Sequence, residues 1–476
     1  MCKTTKVLSI FAAKITKAMV DYIKLKQGLD IPIEGIPKAR IIKSIISETV
    51  AVKPTDFKGV IPKLSVKEGD SVKAGSLLFT DKKRPEIRFT SPASGTVSEI
   101  VRGEKRKLLE IRIKASSQTE YVQFDLPKGD ALTKEQVINA LLESGLWVCI
   151  KQRPYGIIPS PETAPKAIFI SGFNSAPLAA DMDYTLREDF ENVQAAIDAL
   201  SRIVPGAIHF GLSVKTCMST PFHKLNGVIF HKFEGPHPAG NVGIQIHHVC
   251  PVNKGDVVWT IDLHLLAIIG KLFTKGICDM TKTVAVGGPR VSDPGYVRCL
   301  SGMCMKDISD MVNDNVEKLQ EGCPVRFVSG NVLTGTNVGA EGYLGFFDNQ
   351  ITVLTEGKYN ETLGWAKIFR PKKFSFASTY FSWLTPKKKY RMDTNLNGDV
   401  RAFVMTSKYS KVLPMDIYPV YLLKAILADD IDKMEQLGIY EVIEEDFALC
   451  EYIDPSKIDI QAIISRGIDT MIKEMA

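Results

Sequence analysis

The sequence predicts an α+β multidomain protein, and three observations carry that prediction. At 476 residues the chain is too long for one module, because domains run to roughly 100–200 residues, and three or four folded units are expected. Its 45% hydrophobic and 24% charged residues are the balance of a chain that buries several cores, which argues against disorder, collagen and a disulfide scaffold. The pattern also changes along the chain, from short β-rich runs to alternating strands and helices, then to a second β-rich stretch and finally to helix.

Residues 1–21 read as a tail. The run VLSIFAA behind a basic start is at the minimum length of a signal-peptide core, and Met19 is the expected start of the chain proper. From Tyr22 the runs VIPKLSV, SVKAGSLLF, EIRFT and GTVSEI, separated by Gly and Pro, predict an all-β module over 22–125. Within it VKEGDSVKAGSLLF and SPASGTVSEI resemble the two halves of a biotinyl/lipoyl-like barrel-sandwich hybrid, with Gly69, Gly75 and Gly95 at the tight corners. A carrier of that type needs a lysine at the hairpin tip. Here the tip is Arg84–Pro85, preceded by Lys82 and Lys83, and an arginine cannot be acylated in that way.

Residues 126–280 predict a Rossmann-like α/β domain. Thr133 with Gln136 forms a capping box before Val137, Leu141, Leu142 and Leu146, with Gly145 near the end of the helix. KAIFISGF, GAIHFGL and NGVIF read as strands and DFENVQAAIDALSRI as a helix. VWTIDLHLLAIIGKLFTKG reads as a helix ending at Gly276. No glycine-rich phosphate loop sits at any strand-to-helix junction, and VGGP at 286–289 lacks both the spacing and the following helix.

All seven histidines fall within 56 residues, from His209 to His264. The segment HKFEGPHPAGNVGIQIHHVCPVNKGD reads as a Gly/Pro-rich loop displaying side chains, with a strand at IQIHHV that would turn His247 and His248 to opposite faces. Neutral imidazole exchanges hydrogen bonds readily, so His237, His247 and His248 are the candidates for contact with a quinone or with a neighbouring protein of a complex. Metal ligation is a third use of imidazole, but neither HExxH nor HxxxH spacing is present.

A β-grasp (SLBB-like) unit is expected over 281–360, where CPVRFVSGNVLTG and EGYLGFFDNQITVLTEG alternate around glycine turns. Residues 361–476 combine a basic, aromatic loop with a helical domain. Lys372, Lys373, Phe374, Phe381 and Trp383 are the candidates for docking to a membrane surface or to a membrane-embedded partner. Tyr421, Leu422, Ala425 and Ile426 predict one amphipathic helix closed by Gly438. Ser456 with Asp459 is expected to cap another, with Ile460, Ile463, Ile464, Ile468 and Met471 as its apolar stripe.

The formal charge of +6 hides a polarity: residues 1–120 carry 24 Lys/Arg against 13 Asp/Glu, and residues 428–476 carry 4 against 13. A basic front suits an anionic partner, but without a dedicated basic tract nucleic acid is not an expected partner. The nine cysteines are odd in number and scattered, a reduced pattern; Cys299 and Cys304 form the one close pair and read as ordinary thiols. No stretch approaches the ~20 apolar residues of a membrane-spanning helix.

Taken in order, YIKLKQGLDIPIEG, the barrel halves, EGPHPAGNVGIQIHH, SGNVLTG and the helical tail from Pro414 to Met475 resemble the A-subunit family of bacterial sodium-translocating NADH:quinone reductases, from about residue 22 to the end. That family is similar in architecture to the NADH-binding flavoprotein of respiratory complex I and to the C subunit of the Rnf complex. The resemblance implies a peripheral protein on the cytoplasmic side of the bacterial inner membrane, partnered by subunits B to F. It implies no catalytic residue or metal in this chain and no tightly bound cofactor, with a quinone as possible ligand and NADH, flavins and iron–sulfur centres in the partners. Two departures from the relatives stand out. LCEYIDPSK keeps only Cys450 where an iron–sulfur cluster needs a full set of thiolates, with Asp454 before Pro455, and the flavin fingerprint is absent. A stand-alone flavin- or NAD-dependent oxidoreductase and a lipoyl-like carrier module stay open as alternatives.

Overall fold

The computed structural model describes residues 21–127, 129–312, 324–357, 361, 363–367 and 369–474. The expected tail, apart from Asp21, and the expected start at Met19 lie outside the described residues.

Two short strands come first, β1 (Asp21–Lys24) and β2 (Ile41–Ser44). Neither joins the barrel in which the sequence places them: β1 pairs in parallel with a strand of the second domain and β2 with one of the third. Four-residue segments carry too little periodicity to reveal their partners.

The barrel proper follows as β3 (Thr49–Val52), β4 (Pro62–Leu64), β5 (Ser71–Val72), β6 (Leu77–Asp81), β7 (Arg88–Thr90), β8 (Gly95–Arg102) and β9 (Leu108–Ala115). They form two antiparallel sheets, ordered β3-β9-β8-β5 and β4-β6-β7. Phe79 and Phe89 stack at 4.3 Å between ring centroids in the core, with Phe57 edge-on to Phe89 at 4.7 Å. At Gly95, where φ is +156°, a Cβ would lie 2.0 Å from the Lys114 carbonyl oxygen, so this corner admits no side chain.

Helix α1 (Lys134–Glu143) carries the expected Thr133–Gln136 capping box. It leads through β10 (Ile150–Arg153), β11 (Ala167–Ser171), α2 (Met182–Thr185), α3 (Phe190–Ile203), β12 (Ile208–Ser213), β13 (Ile229–Glu234), α4 (Val242–Val249), β14 (Val258–Ile261) and α5 (Leu263–Lys275). The sheet order is β1-β13-β12-β11-β14-β10; every neighbouring pair is parallel except β14 with β10. The chain steps outward from β11 to β13, then returns to the opposite side of β11 as β14. Strand order therefore reverses between β11 and β14, and the crevice beyond the strand ends at such a point is where open α/β sheets hold ligands. Helices α1, α3 and α5 share one large apolar cluster with the sheet and the barrel, while Ile246 of α4 packs with Phe169 and Val258 in a second.

Two sequence expectations change here. VWTI is a strand rather than the start of a helix, because its four residues pair with β10 and β11 before Asp262 opens α5; a buried apolar run does not by itself distinguish strand from helix. IQIHHV is helical, since the alternation of Ile244 and Ile246 also fits a helix whose apolar side chains bury on β11 and the C-terminal region.

The third unit pairs β15 (Thr281–Gly287), β16 (Gly295–Leu300), β17 (Val325–Ser329), β18 (Thr336–Asn337) and β19 (Gln350–Thr355) with β2, in the order β18-β17-β19-β15-β16-β2. The VGGP motif serves this sheet. The N–H of Gly288 donates to the Gly35 carbonyl at 3.0 Å, and a Cβ on Gly288 would meet the Val353 carbonyl oxygen at 2.3 Å.

The C-terminal region contains α6 (Pro419–Leu427), α7 (Ile431–Gln436), α8 (Ala448–Ile453) and α9 (Ile460–Glu474). Leu422, Ala425 and Ile426 are buried but Tyr421 is exposed, because the helix turns it outward. Gly438, with φ +91°, follows α7 rather than α6. Asp459 alone caps α9, accepting from Ala462 N–H at 3.1 Å; Ser456 is buried and its Oγ accepts from Val404 N–H instead. Ile460, Ile464, Ile468 and Met471 form the buried stripe, with Ile463 at its margin.

Candidate functional site at the strand switch point

A cavity of about 330 Å³ lies beyond the β11 and β14 ends, within the size range of small-molecule sites. The second domain supplies Ser171, Phe173, Asn174, Thr260 and Asp262, the third supplies Asn331, Phe347 and Gln350, and the C-terminal region supplies Ile443 and Glu445. Helices α4 and α5 both begin at its wall, and neither Asn241 nor Asp262 bonds back to cap them. Lys151 is held there with its ammonium 3.7 Å from the centre of the Phe347 ring and 3.7 Å from Asp262.

The three candidate histidines part company. His237 lines the cavity at 4% exposure. Its Nδ1 shares a 3.0 Å hydrogen bond with Ser175 Oγ, its backbone N–H donates to Asp30, and burial holds its pKa down to about 4. His247 and His248 lie outside the cavity lining and pin the C-terminal region. His247 Nδ1 meets Glu441 at 2.6 Å while Nε2 accepts from Asp416 N–H; His248 Nε2 donates to the Pro414 carbonyl at 2.9 Å. Burial lowers the His248 pKa.

The sequence did not single out His264 for a role. It sits in the first turn of α5, lines the cavity and is 6% exposed. Among the described residues neither ring nitrogen has a hydrogen-bond partner, and burial, aided by Lys282, lowers its pKa to about 3. A neutral imidazole offers one donor and one acceptor, both open here. The available signal was a polar residue directly after a parallel strand, inside an otherwise apolar helix.

In the cavity wall Arg153 is clamped by Asp446 at 2.7 Å and Glu445 at 2.8 Å. Gly243 allows the close approach of α4, since a Cβ there would lie 2.5 Å from Asp446 Oδ1. A second histidine pair, His209 and His231, shares a 2.8 Å hydrogen bond on β12 and β13, away from the site.

The remaining candidate sites are also placed. The hairpin tip is docked: Arg84 donates to Asp81 and to the Ile158 carbonyl at 2.7 Å, which ties it to the second domain. Cys450 is buried, and Asp454 accepts from Tyr409 at 2.6 Å and from Ile458 N–H, so this stretch offers one thiol and an occupied carboxylate, a donor set that does not fit an iron–sulfur cluster. Among the described residues no group of three or more His, Cys, Asp or Glu is placed to hold a metal ion, and no helix is long and apolar enough to cross a membrane. Of the docking candidates, Lys372, Phe381 and Trp383 are exposed, whereas Lys373 reaches Glu361 and Phe374 is half-buried beside Tyr390.

Comparison with known proteins decides the family. Residues 23–116 match the model of the NqrA N-terminal barrel-sandwich hybrid domain, 132–278 that of the NqrA second alpha/beta domain, and 283–340 that of the NQRA C-terminal domain. The Na(+)-translocating NADH-quinone reductase A subunit of Vibrio parahaemolyticus is 35% identical over 95% of this chain and 100% of its own length. Those of Yersinia pestis and Neisseria meningitidis are each 36% identical, over 95% of this chain and 99% and 100% of their own. The chain belongs to the A-subunit family of Na(+)-translocating NADH-quinone reductases. As in that family, the N-terminal module is a barrel-sandwich hybrid.

Proposed function

We propose that this chain is the A subunit of a sodium-translocating NADH:quinone reductase, a peripheral member of the complex that supports quinone reduction coupled to Na⁺ export. The observation that carries this is the end-to-end match: relatives with that name align over essentially their whole length. Within this reading the chain sits on the cytoplasmic side of the bacterial inner membrane against subunits B to F, which hold the NADH site, flavins and iron–sulfur centre. The parallel order of the second sheet supports a Rossmann-like assignment, and the mixed third sheet a β-grasp one. The division into units at 22–125, 126–280, 281–360 and 361–476 belongs to the same proposal, with β1 and β2 as exchanges between units.

The switch-point cavity is the place where this chain would meet a quinone ring. His237 and His264 supply polar groups for its carbonyl oxygens, and Phe173, Phe347 and Leu333 supply apolar wall. His247 and His248 are bonded to the chain's own C-terminal region and stand outside this quinone reading. Expression with the partner genes should yield a complex containing this chain in equal amount with the others; a chain that purifies alone from such cells would defeat the reading. Quinone affinity of the full chain should fall at least several-fold in His237→Ala, and an unchanged affinity removes that residue from the site.

A further inference from the structure

Between Thr362 and Met392 the chain contains no Asp or Glu. Its cations divide into two sets. Lys367 and Arg370 meet Glu361 at 2.6 Å, and Lys373 reaches the same carboxylate at 3.8 Å. Arg391 pairs with Glu34 at 3.0 Å. Lys372, Lys387 and Lys389 are exposed and have no ion pair among the described residues. The Lys388 ammonium donates to the Pro371 carbonyl at 2.5 Å, which ties the segment carrying Lys387 and Lys389 to the one carrying Lys372.

Apolar side chains stand on that same loop. Of the nineteen large hydrophobic residues exposed among the described residues, nine lie between Leu363 and Met405. Phe369, Trp383 and Leu384 are 72%, 59% and 61% exposed. Phe369 and Trp383 flank Phe381 at centroid distances of 6.4 and 6.5 Å. Inner residues anchor the loop: Tyr380 is buried and donates to the Gly364 carbonyl at 2.6 Å, and Phe374 lies 6.0 Å from Tyr390. The exposed rings are therefore carried on a fixed base.

We propose that residues 369–391 bind an anionic lipid leaflet directly, with Phe369, Phe381, Trp383 and Leu384 entering the interface and Lys372, Lys387 and Lys389 meeting lipid phosphates. This rests on the reading of the chain as a peripheral member of a membrane complex and adds a lipid contact of its own. Indole and phenyl rings beside lysines match the headgroup level of a bilayer, where one end of the ring is apolar and the other wet. A leaflet also neutralises all three free ammonium groups at once, at positions where the protein supplies no carboxylate.

The test uses the full chain with vesicles of phosphatidylcholine alone and of phosphatidylcholine containing phosphatidylglycerol, followed by co-sedimentation. Binding should require phosphatidylglycerol and weaken as salt shortens the screening length. The combined change Lys372→Gln, Lys387→Gln and Lys389→Gln should lower the affinity on the order of 100-fold, each lysine near a charged surface contributing about a factor of five. In a Trp365→Phe background, Trp383 emission should shift to the blue on binding, because Trp147 and Trp259 are already buried. Equal binding to both vesicle types, or undiminished binding by the triple variant, overturns the proposal. So does loss of binding through Lys82→Gln, Lys83→Gln and Lys105→Gln, which would place the contact on the barrel. A triple variant that binds vesicles normally but drops out of the purified complex assigns the loop to a membrane-embedded partner and overturns the lipid contact. Failure of the wild-type chain to join any complex defeats the reading as a complex member while leaving the vesicle measurement intact.

Discussion

Arg153 joins the second domain to the C-terminal region through a buried ion pair with Asp446. The guanidinium is 3% exposed and its partner Asp446 is buried, so truncation would leave a carboxylate desolvated without a counter-charge. Breaking a buried pair in this way costs about 3–5 kcal/mol. Arg153→Ala should lower the unfolding free energy read from denaturant titration by that amount, and a loss below about 1 kcal/mol would show that water already reaches Asp446. The buried imidazoles set a pH dependence. Burial holds His264 down to about 3 and His237 to about 4, against 6.5 for the free group. The unfolded chain therefore takes up protons first as pH drops below about 6.5, and the folded state loses stability from there toward the folded-state values. Stability should be level above pH 7 and fall below 6, with His264→Phe removing up to about 1.4 kcal/mol per pH unit from the slope. An unaltered slope would mean that His264 is hydrated in the folded state.

At the scale of elements, helix α5 crosses α3 at Gly270, where a Cβ would lie 1.7 Å from the Asn192 carbonyl oxygen. Gly270→Ala favours the helix locally but forces the two backbones apart, and overpacking of this kind costs about 1–3 kcal/mol. Calorimetry should show a lower melting temperature, in spite of the better helix propensity; a higher one would show that the helices slide freely. Capping chemistry is legible in the sequence where it is purely local. Thr133 and Gln136 satisfy each other across one turn. Ser456 has the same capping chemistry but is claimed by Val404 N–H from a distant segment. IQIHHV and VWTI depart from expectation for a related reason, since short apolar runs fit both periods until a neighbouring strand accepts or refuses their N–H groups.

Over the whole molecule, the C-terminal helices are fastened to the earlier units by Lys58–Glu444 at 2.5 Å, Arg153–Asp446 and His247–Glu441. Their apolar cluster also takes in Leu25, Ile31, Ala239 and Ile244. The bipolar charge pattern thus has an internal use, as part of the acidic tail pairs with cations of the first two units. A chain ending at Lys411 should expose this apolar surface, bind a hydrophobic dye strongly and melt earlier than the full chain. Independent melting of the remainder at its original temperature would show that the tail is only tethered.

The sequence by itself determined the N-terminal barrel-sandwich hybrid, its corners at Gly69, Gly75 and Gly95, the α1 cap and the lack of a thiolate set around Cys450. Each of these depends on neighbours a few residues apart, or on which atoms are present at all. It also marked His237. Only the tertiary structure decided that His247 and His248 hydrogen-bond to the C-terminal region of the same chain, that β1 and β2 complete sheets of other units, and that His264 faces the cavity with neither ring nitrogen bonded among the described residues. These outcomes depend on which distant backbone or carboxylate arrives within hydrogen-bond reach. Residue type and periodicity carry no record of that arrival.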